Sequence, residues 1–381
     1  MDLGDGDAAR RPAAPIGEIA HFVPSFGRGG AERVAADLAL WARRSARVRV
    51  IAPLGGDAAQ TFVDAGLPVE GARVRRPNDA NRADMLRVTI DAAIRLRDAK
   101  LVHATLAWPD RLGAALVARG RAPMAVTFQL LQGEDERFPR DWIFPTRRLS
   151  PAFVRASARL APLAFVALSK GDRARLEEAF PGVRVVVVPN APPPPDSDAC
   201  PTLPFGAGVR VLAVGRLHRQ KGFERLIDAL ARPPASAHEF SLCIVGGGEE
   251  SERLATSVRE SPIASRVQLV GALPAARVYA QADLFVTTSR AEGMPLALLE
   301  AMSAGVAVLA SPIPAHREVL EGIDGALLST VEADWPAQIA ALLASPELRR
   351  RVAGEARARA LGLYSLDVQR EAYARLYDEL R

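Results

Sequence analysis

Two glutamates eight positions apart, Glu292 and Glu300, stand in the run Ser289-Arg-Ala-Glu-Gly-Met-Pro-Leu-Ala-Leu-Leu-Glu300. Pro295 suits the first position of a helix and Gly305 its C-terminal cap, so the pattern predicts a helix over 295–304. The first amides of that helix, near Leu296 and Ala297, have no carbonyl one turn earlier and can bind phosphate oxygens. Glu292 lies in the loop just before them. Glu300 lies on the helix, where a carboxylate can accept two hydrogen bonds from a vicinal diol such as a ribose. Leu296, Leu298, Leu299, Ala301 and Met302 surround Glu300 with apolar neighbours. A solvated surface glutamate would not have such company, and a charge there needs a partner.

Three other glycine-containing loops follow short β-branched runs. Val214-Gly-Arg-Leu-His-Arg-Gln-Lys-Gly222 carries Arg216 and Lys221 between two glycines. Two cations at a helix start can hold a diphosphate, although solvated loop charges have the same composition. The Gly-Lys-Ser/Thr ending of an ATPase P-loop is missing. Phe26-Gly-Arg-Gly-Gly-Ala-Glu32 lets backbone approach an anion at Gly29 and Gly30, or is simply a tight strand–helix turn. Val245-Gly-Gly-Gly-Glu-Glu250 is the weakest of the four. His103, in Leu101-Val-His-Ala-Thr105, ends a strand and is either a site residue or a half-buried structural histidine.

These loops require strands to hold them. Runs at 19–23, 48–52, 101–105, 124–128, 165–168 and 185–188 alternate with amphipathic helical patterns, among them 31–44, 83–98 and 108–119. The alternation restarts at 209–214, 242–245, 267–270, 284–288 and 306–310. Strands alternating with helices imply parallel sheets covered on both faces, an α/β fold. Residues 1–14 read as a disordered tail and 15–189 as a first domain. The proline-rich stretch 190–208 reads as a semi-rigid linker, 209–364 as a second domain, and 365–381 as a last helix.

A chain of 381 residues, 49% hydrophobic and 24% charged, fits two soluble domains. No apolar run reaches the length of a membrane span, and the first residues lack a signal-peptide core. Two cysteines, Cys200 and Cys243, make neither a disulfide framework nor a thiolate metal site, so a cytoplasmic setting is expected. No metal-ligand spacing is present. Residues 1–190 hold 29 Lys+Arg against 21 Asp+Glu, and residues 191–381 hold 20 against 23. A basic first half suits an anionic partner, such as a membrane surface, a lipid-linked phosphate or a nucleic acid, or is a well-solvated arginine-rich surface. From Asp141 to Ala167, Trp142, Phe144, Phe153, Leu160 and Phe165 are interleaved with Arg147, Arg148, Arg155 and Arg159. Such a segment can lie on an anionic membrane, or its apolar residues can face the core.

The segment Glu292 to Glu300 resembles the paired-glutamate motif of group 1 (family 4) retaining glycosyltransferases. Gly29-Gly30-Ala31-Glu32, Val188-Pro-Asn190 and Gly215-Arg216…Lys221-Gly222 resemble that family's N-terminal glycine loop, linker entry and diphosphate clamp. The resemblance implies the GT-B fold: two facing Rossmann-like domains, with the last helix crossing back onto the first. It implies transfer of a hexosyl unit from a nucleotide-diphosphate sugar to a glycan or lipid-linked acceptor with retained configuration; the basic first half, not the resemblance, suggests that a cytoplasmic enzyme could work at the inner face of the cell membrane. No metal, no other cofactor and no nucleic acid is implied. Arg216 and Lys221 would bind the diphosphate, and Glu292 with the backbone of Gly293, Met294, Pro295, Leu296 and Ala297 the sugar. Glu300 would bind the ribose, Gly29 and Gly30 would approach the phosphates, Gly246 and Gly271 would lie near the base, and His103 near the reaction centre. Thr105 and Gln129 stand where the family often has histidines; Gln129 can donate a hydrogen bond but cannot carry charge. A nucleotide-sugar epimerase and a non-enzymatic scaffold of the same fold are the alternatives. A dinucleotide-dependent oxidoreductase lacks its Gly-x-Gly-x-x-Gly here.

Overall fold

The computed structural model describes residues 17–23, 30–52, 62–70, 82–106, 112–129, 151–192, 201–273 and 278–381. They form two compact units, one holding the described residues up to 192 together with Leu366–Arg381, the other those from 201 to Ser365.

The first unit is a parallel sheet of β1 (Glu18–Phe22), β2 (Arg47–Ile51), β3 (Val69–Glu70), β4 (Leu101–Leu106), β5 (Met124–Phe128), β6 (Leu163–Ala167) and β7 (Arg184–Val187). Its order is β3-β2-β1-β4-β5-β6-β7. Helices α1 (Gly30–Ala42), α2 (Arg82–Leu96), α3 (Leu112–Ala118), α4 (Pro151–Leu160) and α5 (Lys170–Ala179) join the strands. The two-residue β3 escapes the sequence reading, because two residues carry no period. Central strands such as β4 and β5 are buried along their whole length. They therefore read as continuous apolar runs rather than alternating ones, as parallel sheets with both faces covered do.

The second unit repeats the plan with β8 (Val209–Val214), β9 (Phe240–Val245), β10 (Val267–Gly271), β11 (Leu284–Thr287) and β12 (Ala307–Ala310), in the order β10-β9-β8-β11-β12. Its helices are α6 (Phe223–Ala231), α7 (Ser251–Glu260), α8 (Leu296–Ser303), α9 (Pro314–Val319), α10 (Trp335–Ala344) and α11 (Pro346–Leu363). The order reverses between β8 and β11. Loops leaving the two strands on either side of such a switch point diverge and leave a crevice at their C-terminal ends.

The last helix, α12 (Leu366–Leu380), packs on the first sheet. His21 and His103 are register partners on β1 and β4, with ring centroids 5.3 Å apart. The His103 ring meets the Tyr377 hydroxyl at 2.6 Å through Nδ1 and the Thr127 hydroxyl at 2.8 Å through Nε2. Tyr373 in turn meets Thr127 at 3.0 Å. Thus α12 closes over a polar chain buried in an otherwise apolar face, and its tyrosines supply the partners that His103 and Thr127 require.

Three histidines are fully buried. Burial pulls the imidazoles of His21 and His316 down to about 4, and that of His103 well below its ordinary value. Each is neutral when folded and takes up a proton near pH 6.5 when unfolded. Their contribution is therefore complete above pH 6.5 and is lost as pH falls towards 4. Both ring nitrogens of His21 lack a partner among the described residues. Urea unfolding at pH 6.5 and 4.5 should show His21→Leu losing about 2 kcal/mol less on acidification than the wild type. Equal losses would contradict a neutral buried His21.

Candidate active site in the second unit

The loop after β8 and the loop after β11 are tied backbone to backbone. Gly222 has φ +61°, a left-handed conformation, and a Cβ there would lie 2.5 Å from the Thr288 carbonyl oxygen. Only glycine meets both conditions. Thr288 donates its hydroxyl to Gly222 O at 2.8 Å, Arg290 N donates to Gln220 O at 2.7 Å, and Gln220 Nε2 donates to Ala291 O at 2.6 Å. Arg290 and Arg225 add Arg290–Glu224 at 2.7 Å and Arg225 Nη1 to Thr288 O at 2.9 Å.

That stitching brings together Lys221 and Glu292, which are 71 residues apart. Lys221 Nζ lies 2.5 Å from Glu292 Oε1. The Ser289 hydroxyl donates to the same oxygen at 2.7 Å. Glu292 is only 9% exposed, so these two donors are what allow its charge to be buried. The second carboxylate oxygen has no hydrogen bond among the described residues, and it remains available to a ligand.

The glycine loop after β9 packs under the loop after β8. A Cβ on Gly246 would fall 1.8 Å from Gly215 O, and one on Gly248 would fall 2.4 Å from Leu217 O. Gly215 N donates to Val245 O at 3.0 Å, Leu217 N to Gly247 O at 2.9 Å, and Gly246 N to Gly271 O at 2.8 Å. The glycines at 246, 248 and 271 thus join the ends of three adjacent strands. The neighbouring Glu249 pairs with Arg216 at 3.0 Å and lies 3.4 Å from His218 Nε2. The two cations expected to converge on one anion therefore each hold their own carboxylate here, Arg216 with Glu249 and Lys221 with Glu292.

Helix α8 begins at Leu296, with Pro295 as its N-cap, one residue later than predicted. Leu296 N donates to Met294 O at 3.0 Å. Of the two amides expected to be free, Leu296 is therefore engaged, because the Met294–Pro295 turn closes on it. Ala297 N makes no backbone hydrogen bond among the described residues. The helix ends at Ser303, and Gly305 follows with φ +75°. Glu300 has the partner its apolar surroundings demand: the Tyr279 hydroxyl donates to Oε2 at 2.6 Å. Tyr279 is fully buried and lies 21 residues earlier in a short turn, where no sequence signal links it to Glu300.

Lys221, Glu292, Gly246, Gly271 and the start of α8 are thus assembled on one end of the second sheet. His103 lies in the core of the first unit with both ring nitrogens bonded, to the hydroxyls of Tyr377 and Thr127. Its histidine chemistry is used to seat α12. Gly30 opens α1, and Gly29 lies outside the described residues. Asn190 Nδ2 donates to Gln129 Oε1 at 2.8 Å, a pairing that the separate motifs did not reveal. Among the described residues no group of three or more His, Cys, Asp or Glu could hold a metal ion.

The family description glycosyl transferases group 1 matches residues 205–359, and glycosyltransferase family 4 matches residues 28–192. The O-antigen biosynthesis glycosyltransferase WbnH of Escherichia coli is 34% identical over 125 residues, 33% of this chain and 35% of WbnH. A GDP-mannose-dependent phosphatidylinositol monomannoside mannosyltransferase of Mycolicibacterium smegmatis is 31% identical over 177 residues, 43% of this chain and 46% of that protein. The chain therefore spans less than half the length of these curated relatives. HepE of Anabaena in complex with UDP superposes with a TM-score of 0.72 at 21% identity, covering 95% of this chain and 100% of HepE. That likeness is one of fold: an α/β GT-B architecture.

The glycine contact makes a direct test possible. Gly246→Ala would force the loops after β8 and β9 apart, because backbone rather than a flexible side chain opposes the new methyl. We expect a loss of roughly 2–4 kcal/mol in the stability of the second unit, measured by urea unfolding. A variant as stable as the wild type would contradict the packing described.

Proposed function

We propose that this chain, which belongs to the group 1 glycosyltransferases with a family 4 N-terminal half, moves a hexosyl unit from a nucleotide-diphosphate sugar to a glycan or lipid-linked hydroxyl. The observation that carries the reading is the Lys221–Glu292 pair at 2.5 Å, set at a parallel-sheet switch point four residues before α8. Lys221 and the Ala297 amide supply positive ends for the departing diphosphate, and Arg216 does so once it leaves Glu249. Stabilising charge that grows on the leaving group is the largest electrostatic contribution such a site can make. Glu292 presents its free oxygen to sugar hydroxyls. Glu300, oriented by Tyr279, accepts from the ribose. Configuration is retained, with the leaving phosphate taking the acceptor's proton. The alternatives are an epimerase, which would release the sugar without an acceptor, and a scaffold, which would bind without turnover.

A thermal-shift screen with UDP-, GDP- and ADP-sugars tests this reading, since a ligand that binds only the native state raises its Tm. At least one should do so. Glu300→Ala should then bind that donor more weakly by about 1–3 kcal/mol, roughly tenfold or more, while remaining folded. No shift with any donor would overturn the reading.

We also propose that α4 touches an anionic membrane surface. Leu163 and Phe165 belong to β6 and lie in the core, so that end of the basic segment is structural. Helix α4 itself buries Val154 and Ser157 and leaves Phe153 and Leu160 exposed, 42% and 64%, beside exposed Arg155 and Arg159. Residues 130–150, with Trp142 and Phe144, lie outside the described residues. Among the described residues no helix is long and apolar enough to cross a membrane. Co-sedimentation with anionic vesicles should be strong at low salt and fade at high salt. Protein that stays in the supernatant at low salt would remove the membrane from the proposal.

A further inference from the structure

Behind Glu292 lies a row of buried polar groups, of which the site described above uses only the Ser289 hydroxyl. Ser311 follows β12, and its amide donates to Thr287 O at 2.8 Å. Its hydroxyl donates to Ser289 O at 2.6 Å. Ser289 is the residue whose own hydroxyl donates to Glu292 Oε1 at 2.7 Å. Beyond Ser311 stands His316 on α9. His316 Nδ1 lies 2.9 Å from Ser311 O and 3.2 Å from Ser311 Oγ. Ser289, Ser311 and His316 are all fully buried.

The chemistry fixes the tautomer. A carbonyl oxygen can only accept, so His316 Nδ1 carries the hydrogen, and in the neutral ring Nε2 is left as a lone-pair acceptor. That Nε2 is buried and has no partner among the described residues. Burying an unpaired acceptor is unfavourable, and an apolar side chain would avoid it. The Ser311 carbonyl already receives Ile313 N at 2.9 Å, so it does not need the imidazole for satisfaction. Packing and hydrogen-bond satisfaction therefore do not account for a histidine here. Orientation does. The ring grips both oxygens of Ser311, and the hydroxyl it thereby orients holds the Ser289 backbone.

We infer that His316 is a positioning residue for Glu292, acting through Ser311 and Ser289. The relay fixes Oε1 between Ser289 and Lys221 and so turns Oε2 towards the sugar of the donor. The effect falls mainly on the sugar. The ribose is held elsewhere, by Glu300, and the diphosphate feels the relay only through Lys221, which Glu292 Oε1 holds. This role rests on the donor-site reading given above.

The test is calorimetric titration of the full chain with UDP, UDP-glucose, GDP, GDP-mannose, ADP and ADP-glucose, using whichever nucleotide pair the wild type binds. The variants are His316→Leu, His316→Asn and Ser311→Ala. Asparagine keeps a donor at the Nδ1 position. Ser311→Ala cuts the relay while leaving the histidine in place, so it serves if His316→Leu does not fold. We expect the ratio of nucleotide-sugar to nucleotide Kd to rise at least fivefold in His316→Leu and Ser311→Ala. It should return to within twofold of wild type in His316→Asn, with Kd for the bare nucleotide changing less than Kd for the nucleotide sugar throughout. An unchanged ratio, or parallel weakening of both ligands, would overturn the inference and leave a merely structural histidine. If the wild type binds none of the six, the donor-site reading itself fails and this role falls with it.

Discussion

The close approach of backbone to backbone where the loops after β8, β9 and β11 meet is the constraint on which the second unit depends. At Gly246, Gly248 and Gly222 a single added carbon would overlap a carbonyl oxygen of the neighbouring loop. With hydrogens there instead, the amides and carbonyls of the loops satisfy one another, and the strand ends close into one surface. Lys221 and Glu292 meet because of this. Neither is fixed by its own strand; each sits at the end of a loop whose path the other loop determines.

The same surface shows how charge is brought out of water at tolerable cost. Glu292 has a lysine and a serine on one oxygen, and Glu300 has a tyrosine hydroxyl. Arg216 and Glu249 are more exposed, and such a pair contributes little to stability, so it can exchange partners readily. Buried pairing and exposed pairing thus divide the work: Lys221–Glu292 gives a fixed frame, and Arg216 a movable cation. The polar chain under α12 in the first unit holds no carboxylate. There the buried polar chain of His103, Thr127, Tyr373 and Tyr377 is neutral, and it specifies where α12 docks.

Much of this was legible in the sequence, and the exceptions have physical causes. Strand–loop–helix alternation was clear because parallel strands buried on both faces make apolar runs of distinctive length. Lys221, Glu292 and Glu300 could be singled out because charge beside glycine or amid leucines is unusual. Their partners could not be. Tyr279 reaches Glu300 across a turn, Ser311 reaches Ser289 from the next strand, and such contacts have no period. His103 shows the converse. A histidine at a strand end looks the same whether it meets a substrate or a tyrosine from a helix 274 residues later. Only the packing of α12 distinguishes the two. The start of α8 shows a smaller effect of the same kind, since the Met294–Pro295 turn consumes an amide that a regular helix would have left open.

Lys221 and Glu292, joined at 2.5 Å, should act as one unit that a diphosphate enters. A double-mutant cycle measures this most directly, with Lys221→Met, Glu292→Gln and the double variant titrated with the nucleoside diphosphate that stabilises the wild type. If Lys221 is shared between the carboxylate and the phosphate, Glu292→Gln changes affinity when Lys221 is present and leaves it unaltered when it is absent. The expected coupling energy is about 1 kcal/mol or more. Effects that simply add, or affinity that survives the loss of Lys221, would contradict it.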